Sequence, residues 1–186
     1  MKKTTIVAQA VLLLFMSYSA ISFASCKKDG GTGGKDFGSA PRKEVPEPFV
    51  GEFMYVTSTG GYVDQYGHQI PGVAQGVTYH INKNGTGTSL YLAKTGSYSG
   101  AVTTDEIRSN CTFEITTTSE NRANIIIHFV SGKNYHNGVL LHDIDASKLY
   151  PNGDAVYDSA EYGTNDQGQT YFIVGTGNNT AQFTKQ

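Results

Sequence analysis

Short segments in which apolar and polar residues alternate recur through most of the chain after about residue 50. They lie at residues 53–58, 77–82, 90–92, 111–116, 139–141, 155–157, 171–174 and 181–183. A period of two is typical of strands that bury one face. Residues 125–130 are apolar on both faces and are predicted to form a central strand. The pattern therefore predicts about nine short strands.

The composition agrees with this prediction and excludes some classes of function. The 186 residues include 22 glycines, 12 tyrosines and 9 phenylalanines, a mixture that favours strands and turns over a helical bundle. The formal net charge is only -2, so the chain lacks the broad cationic surface of a nucleic-acid-binding protein. We expect no nucleic-acid partner.

Turn signals separate the predicted strands. Asn84-Gly85 tolerates the positive φ angles of a tight hairpin turn, and residues 119–122, 165–168 and 175–178 are predicted to be further connections. No stretch resembles an amphipathic helix, and residues 143–149 are expected to form at most a turn or two. The expected fold is all-β: a single antiparallel up-and-down barrel over residues 49–186, with a β-sandwich as the alternative.

Part of this domain resembles a known family. The segment Phe49-Val50-Gly51-Glu52-Phe53, then a long loop, then residues 79–87 is similar to lipocalin-like lipoproteins of Bacteroides-like bacteria. Members of that family begin with a Gly-x-Trp strand and carry an Asp-Gly-Thr-Gly hairpin; here Phe53 replaces the Trp and Asn84 the Asp. The resemblance implies a small barrel that holds an apolar or amphipathic small molecule.

The first 25 residues have the layout of a secretory signal peptide. Lys2 and Lys3 precede an unbroken apolar run at residues 10–16, and small residues follow before Cys26. The alternative is a retained membrane helix, because residues 4–26 carry no charge and are long enough to span a bilayer. The short apolar centre and the small-residue ending favour cleavage.

The sequence Ala24-Ser25-Cys26 resembles a bacterial lipobox, with Phe23 where Leu is most usual. The resemblance implies that Cys26 becomes the first residue and is acylated, which would anchor the protein to a membrane of the cell envelope, the outer membrane being expected. Cleavage after Ala24 at an ordinary secretory site is the alternative. Residues 26–48, rich in glycine and then proline, are predicted to form a flexible tether.

Cys111 is the second of only two cysteines in the chain. An acylated Cys26 would have no thiol left, so no disulfide between the two is expected. Alternation places Cys111 on the same strand face as Phe113 and Ile115, which predicts a buried, unreactive thiol.

A search for catalytic patterns is mostly negative, so we expect no enzyme, cofactor or metal site. His142-Asp143-x-Asp145 is the nearest metal-ligand pattern, but it lacks a third spaced ligand and fits ordinary surface or capping roles. A small hydrolase would be the alternative, with its carboxylates in the acidic segment 143–166: Asp154, Asp158 and Glu161. A solvated strand face is the more ordinary explanation of these acids.

Two further features concern modification and recognition. Asp158-Ser159-Ala160 matches the short sequon for O-glycosylation in Bacteroides-like bacteria, which would require an exposed Ser159. The tyrosines are spread over the domain and either fill a core without Trp or line a binding surface.

The sequence as a whole predicts a lipid-anchored envelope protein with a non-catalytic binding role. The partner would be a small apolar molecule, a glycan or a protein, and the ligand-binding residues are not specified by any motif. A structural or adhesive β-sandwich without an interior ligand is the alternative.

Overall fold

The computed structural model describes residues 37–97, 101–150, 153–176 and 179–186. The described part of the chain is nearly all strand. The strands are β1 (Gly51–Thr59), β2 (Tyr62–Val63), β3 (Gln69–Ile70), β4 (Val73–Ile81), β5 (Thr86–Gly96), β6 (Val102–Ser119), β7 (Arg122–His136), β8 (Val139–Ile144), β9 (Asp154–Thr164), β10 (Thr170–Thr176) and β11 (Asn179–Lys185). Two short 3-10 helices lie at Glu47–Phe49 and Ala146–Lys148.

Eight of these strands form a closed antiparallel barrel. Their order around the barrel is β1-β4-β5-β6-β7-β9-β10-β11, and β11 pairs with β1 to close it. Barrel neighbours follow one another along the chain, with β2–β3 and β8 as insertions, so the topology is up-and-down. The predicted all-β antiparallel barrel is confirmed, and the alternative of two packed sheets is wrong because one sheet closes on itself.

Strand β8 extends the wall of the barrel in line with β9. Both pair antiparallel with β7: β8 with its second half from Gly132 onward, β9 with its first half up to His128. The two strands therefore lie one after the other along β7, and residues 145–153 connect them. We call these residues the β8–β9 connection. It contains the second 3-10 helix, where the Asp145 side chain accepts a hydrogen bond from the Ser147 N–H at 2.9 Å.

An aromatic core fills the end of the barrel where β1 begins, which we call the closed end. Phe172 lies between Phe53 and Phe183, with ring centroids 5.1 and 4.9 Å away. Their side chains are at most 4% exposed, and buried residues of β4, β6, β7 and β9 complete the same cluster. Burial of such large side chains is the main favourable contribution to the stability of a small barrel without a disulfide.

Residues 41–49, which we call the strap, cross the closed end. The backbone N–H groups of Lys43 and Val45 donate to the carbonyls of Phe113 and Lys83, at 3.2 and 2.8 Å. Val45 is 1% exposed and Phe49 is fully buried. The folded unit therefore begins before residue 49, and the part of the predicted tether from Pro41 onward is a docked element. The strap is docked, rather than a free tether, because two of its apolar side chains, Val45 and Phe49, cover the end of the core.

The predicted signal peptide, Cys26 and the first part of the predicted tether lie outside the described residues. Within the described ranges, no helix is long and apolar enough to cross a membrane.

Candidate ligand cup at the open end

The exposure of the inward-facing side chains increases from one end of the barrel to the other. Cross-strand partners share a face of the sheet, so the register assigns the inward residues of β1, β4, β5, β6 and β7 in rows. The first of three rows that lead toward the open end is Phe53, Tyr79, Ser89, Ser109 and Gly132, and all five are buried. Leu149 of the β8–β9 connection packs over Gly132 in this row.

The next two rows are progressively more exposed. The second row, Tyr55, Val77, Tyr91, Ile107 and Asn134, is half-buried throughout. The third row, Thr57, Gln75, Ala93, Asp105 and His136, contains three exposed residues. Inward side chains that solvent reaches mark a barrel that is open at this end. We call the space bounded by these two rows the cup.

Tyrosine side chains connect the first row to the opposite wall. The Tyr79 side chain interacts with that of Tyr157, which interacts with that of Tyr150. Burial raises the pKa of Tyr79 and the pKa of Tyr157 above the ordinary value. Tyr150 stacks on Phe129, with centroids 5.3 Å apart and planes within 6°. These contacts provide aromatic surface with polar tips.

Polar pairs lie on the rim of the cup. The Tyr91 hydroxyl donates to the Gln75 side-chain carbonyl at 3.1 Å. Asp105 Oδ1 lies 2.7 Å from His136 Nδ1, and the two side chains are 54% and 45% exposed. The cup thus combines an apolar, aromatic interior with hydrogen-bonding groups at its mouth. This is the usual construction of a small-molecule site.

The carboxylates that would have supported hydrolysis are not gathered in a cleft. Asp154 contacts His128 at 2.7 Å, and Glu161 contacts Arg122 at 3.5 Å, both on the outer face of the barrel. The two acids are seven positions apart along the strand, about 20 Å at the usual rise. Asp158 is exposed at a β-bulge between them. The structure therefore does not bring the three acids together.

His142, Asp143 and Asp145 also have separate surroundings. A bulge in β8 places Leu140 on the opposite face from His142, whereas simple alternation along a regular strand would place both on one face. Asp145 caps the short helix that follows, and hydrogen bonds from Ser147 lower its pKa. Among the described residues, no group of three or more His, Cys, Asp or Glu side chains could hold a metal ion.

The described part of the chain also includes Cys111 and Ser159, two residues that the sequence pattern singled out. Cys111 is fully buried, as predicted, and burial raises the pKa of its thiol far above the ordinary value. Ser159 is exposed at the bulge with a φ of 57°, and its N–H donates to the Asn124 side chain at 2.9 Å. Exposure meets the requirement for glycosylation, which stays a prediction that the intact mass of Ser159→Ala from the native host would check.

A chain of ion pairs connects the strap to the outer wall of the barrel. Lys43 Nζ lies 2.7 Å from Glu114, and His128 lies 3.3 Å from Glu114 on its other side. The hydrogen bond from Lys43 is the largest of the causes that lower the pKa of Glu114 below its ordinary value of 4.5. A carboxylate with a lowered folded-state pKa stabilises the fold above its unfolded pKa. That contribution is lost as the pH falls through the folded-state value.

We therefore expect Lys43→Met to reduce the dependence of stability on pH in the acid range. The parent should lose stability between about pH 5 and pH 3, whereas the variant should start lower at pH 7 and lose less over the same interval. Urea midpoints at pH 7, 5 and 3 measure both effects. Lys133→Met removes an exposed lysine from β7 and serves as the control. Equal slopes for Lys43→Met and the parent would contradict the role of this ion pair.

A concavity of about 490 Å³ lies at the closed end and is wide open to solvent. It is lined by Glu47, Pro48, Glu120, Tyr162, Gly163, Thr164, Thr170 and Lys185. Its one aromatic wall, Tyr162, packs against buried Phe49 with centroids 4.9 Å apart. We regard the cup as the better candidate because it alone continues the inward aromatic face of the barrel.

Neither motif nor spacing marked the cup in the sequence. Its rim pair, Asp105 and His136, is separated by 31 residues, and each lies in a different strand. Comparison with known proteins finds no family model, no curated protein and no solved structure that matches the chain.

Proposed function

We propose that this chain is a lipid-anchored protein of the bacterial cell envelope that holds one small amphipathic molecule in the cup and does not transform it. The observation that carries the binding role is the graded exposure of the inward face. It passes from a buried first row through half-buried Tyr55, Tyr91 and Ile107 to an exposed polar rim.

The dimensions and chemistry of the barrel support this proposal. An eight-stranded barrel has room inside for its own side chains or for one small ligand. Here the aromatic core occupies the closed end, and the solvent-exposed inward side chains at the open end would face a ligand. Tyrosine faces would contact the apolar body of the ligand, while the Gln75 amide and the Asp105 carboxylate would contact its polar end.

The proposal predicts saturable binding of an uncharged hydrophobic probe. N-phenyl-1-naphthylamine should bind with one-to-one stoichiometry and gain fluorescence as it leaves water. Tyr91→Ala should weaken its Kd roughly tenfold, because one buried aromatic side chain contributes about 1.5 kcal/mol or more. Fluorescence titration of the mature protein measures both quantities.

Leu92→Ala is the matched control, since Leu92 is the next residue of β5 and lies on the outer face. It should leave the Kd within about twofold of the parent. If the parent shows no saturable fluorescence increase, or if the two substitutions have equal effects, the cup is not the binding site. Circular dichroism confirms that each variant is folded.

The anchoring part of the proposal rests on the lipobox-like sequence that ends at Cys26. Cys26→Ala should abolish acyl labelling and release the protein from membranes, because the attachment atom is lost. Metabolic labelling with an alkyne fatty acid and membrane fractionation in the native host measure these outcomes. Continued labelling of the variant would contradict lipid attachment at Cys26.

An adhesive role is the second candidate, and one observation favours it. Strand β8 is the edge of the sheet beyond the barrel, and its Val139, Leu140 and Leu141 side chains are 65%, 48% and 56% exposed. Exposed apolar residues on an edge strand are suited to contact with another protein. Native mass spectrometry of the protein purified from its host separates the two candidates: a retained small molecule supports the cup, whereas the mass of the chain alone, without probe binding, favours adhesion.

A further inference from the structure

The geometry of the rim leads us to infer that the cup prefers amphipathic molecules with a cationic or uncharged hydrogen-bonding head group over anionic ones such as fatty acids. The inference rests on the proposed function, because it assigns the ligand class of the same cup. Asp105 would be the partner of the head group.

The inward positions at the open end carry almost no positive charge. The two rows that bound the cup contain one carboxylate, Asp105, and one imidazole, His136. His142, the β8 partner of Asn134, adds a second imidazole. Within the described parts of these strands, no lysine or arginine occupies an inward position.

The cations of the same strands lie on the outer face. Lys94 is the cross-strand partner of Ala74 and Thr104, in a row that faces outward. Arg108 is the cross-strand partner of Leu90 and Lys133, in another outward row. Arg108 is held there by two bonds to Glu106, at 2.6 and 3.0 Å, and it lies 4.5 Å from the ring centroid of outward Tyr135. The register therefore places both side chains on the outer face of the barrel.

The connections near the open end do not supply a free cation either. The described residues of these connections, 60–72, 97, 101, 137 and 138, include no lysine or arginine. Lys148 belongs to the β8–β9 connection, where its charge acts on the carboxylate of Asp145 and contributes to the lowered pKa of that group. Among the described residues, the register thus places no permanent positive charge at the mouth of the cup to meet an anionic ligand.

Asp105 is placed to discriminate between head groups. One of its oxygens contacts His136 at 2.7 Å, yet 54% of its side chain remains exposed toward the mouth. A neighbouring like charge disfavours binding by a factor of roughly five even when it is screened as in water, and by more where the site is partly dry. A cationic head gains from the same field, and a hydroxyl can donate a hydrogen bond to the carboxylate.

Three probes with the same ten-carbon chain test this inference: decyltrimethylammonium, decan-1-ol and decanoate. Each displaces N-phenyl-1-naphthylamine from the mature protein at pH 7.5, below its micellar concentration. We expect the ammonium and the alcohol to bind at least fivefold more tightly than decanoate. Asp105→Asn should reduce this difference to about twofold or less, because it removes the charge and keeps the shape.

Asp143→Asn is the control, because it removes the same charge from an exposed residue whose β7 partner is outward Lys133. This variant should retain the full preference of the parent. Equal or tighter binding of decanoate by the parent, or an unchanged preference in Asp105→Asn, overturns the assignment of ligand class while leaving the cup intact. If none of the three probes displaces the fluorophore, the proposed function fails, and this inference with it.

Discussion

Replacing Phe49 with alanine should lower the free energy of unfolding by about 3–5 kcal/mol, the usual cost of deleting a fully buried phenylalanine. Phe49 is 0% exposed, and its ring contacts Tyr162 and Phe172 with centroid distances of 4.9 and 6.1 Å. The loss is large beside a total stability of about 5–15 kcal/mol. Urea denaturation at pH 7 measures it, and the thermal midpoint should fall by roughly 10 °C.

Tyr66→Ala is the control for this prediction, since Tyr66 is an aromatic residue that is 75% exposed in the turn between β2 and β3. It should change stability by less than about 0.5 kcal/mol. A similarly small effect at Phe49 would mean that the strap does not cover the core. The folded unit would then begin after it.

Gly85→Ala should destabilise the protein by a comparable amount, about 3–5 kcal/mol. Gly85 has a φ of 76°, a conformation that costs a residue with a Cβ about 1–2 kcal/mol. An added Cβ would also overlap the carbonyl oxygen of Lys43 and lie 3.0 Å from that of Phe113. The Lys43 N–H donates to this Phe113 oxygen, so the substitution should also push the strap away from the barrel.

Gly67→Ala separates the two contributions. Gly67 has nearly the same φ, 83°, but an added Cβ there would have no neighbour within 4 Å. It should therefore lose only about 1–2 kcal/mol. Equal losses at the two positions, measured by urea denaturation, would show that the close approach of the strap to Gly85 contributes nothing.

Local patterns predicted the strands of this protein well. Each of the nine segments identified from the sequence coincides with a strand, and only Asn82 lies one residue beyond it, because alternation directly reflects one buried and one exposed face. The two missed strands, β2 and β3, have only two residues each and no buried face. The Asn137-Gly138 turn was also missed, although both residues have positive φ angles and the dipeptide is a strong hairpin signal.

The beginning of the domain was harder to predict, for a physical reason. Proline-rich, charged sequence is typical of an extended tether, and the strap is indeed extended. The docking of this segment depends on two buried side chains, Val45 and Phe49. It also depends on hydrogen bonds to residues 38 or more positions away. Neither leaves a periodic signal.

The cup could not be predicted from the sequence at all. Its second and third rows come from five strands whose register is set by non-local pairing. Alternation shows that Tyr91 and Ala93 share a face with each other. It does not show that this face is open to water at one end of the barrel and filled with phenylalanine at the other.

The position of the strap has a consequence for how the protein would stand on a membrane. The strap joins the barrel at the pole opposite the mouth of the cup, so a lipid on Cys26 would hold the molecule by its sealed pole. Fewer than twenty residues connect the two, a reach of at most about 50 Å when fully extended. The mouth would point into the surrounding aqueous space. On the proposed anchoring, the mouth of the cup would therefore be the part of the barrel farthest from the point of attachment.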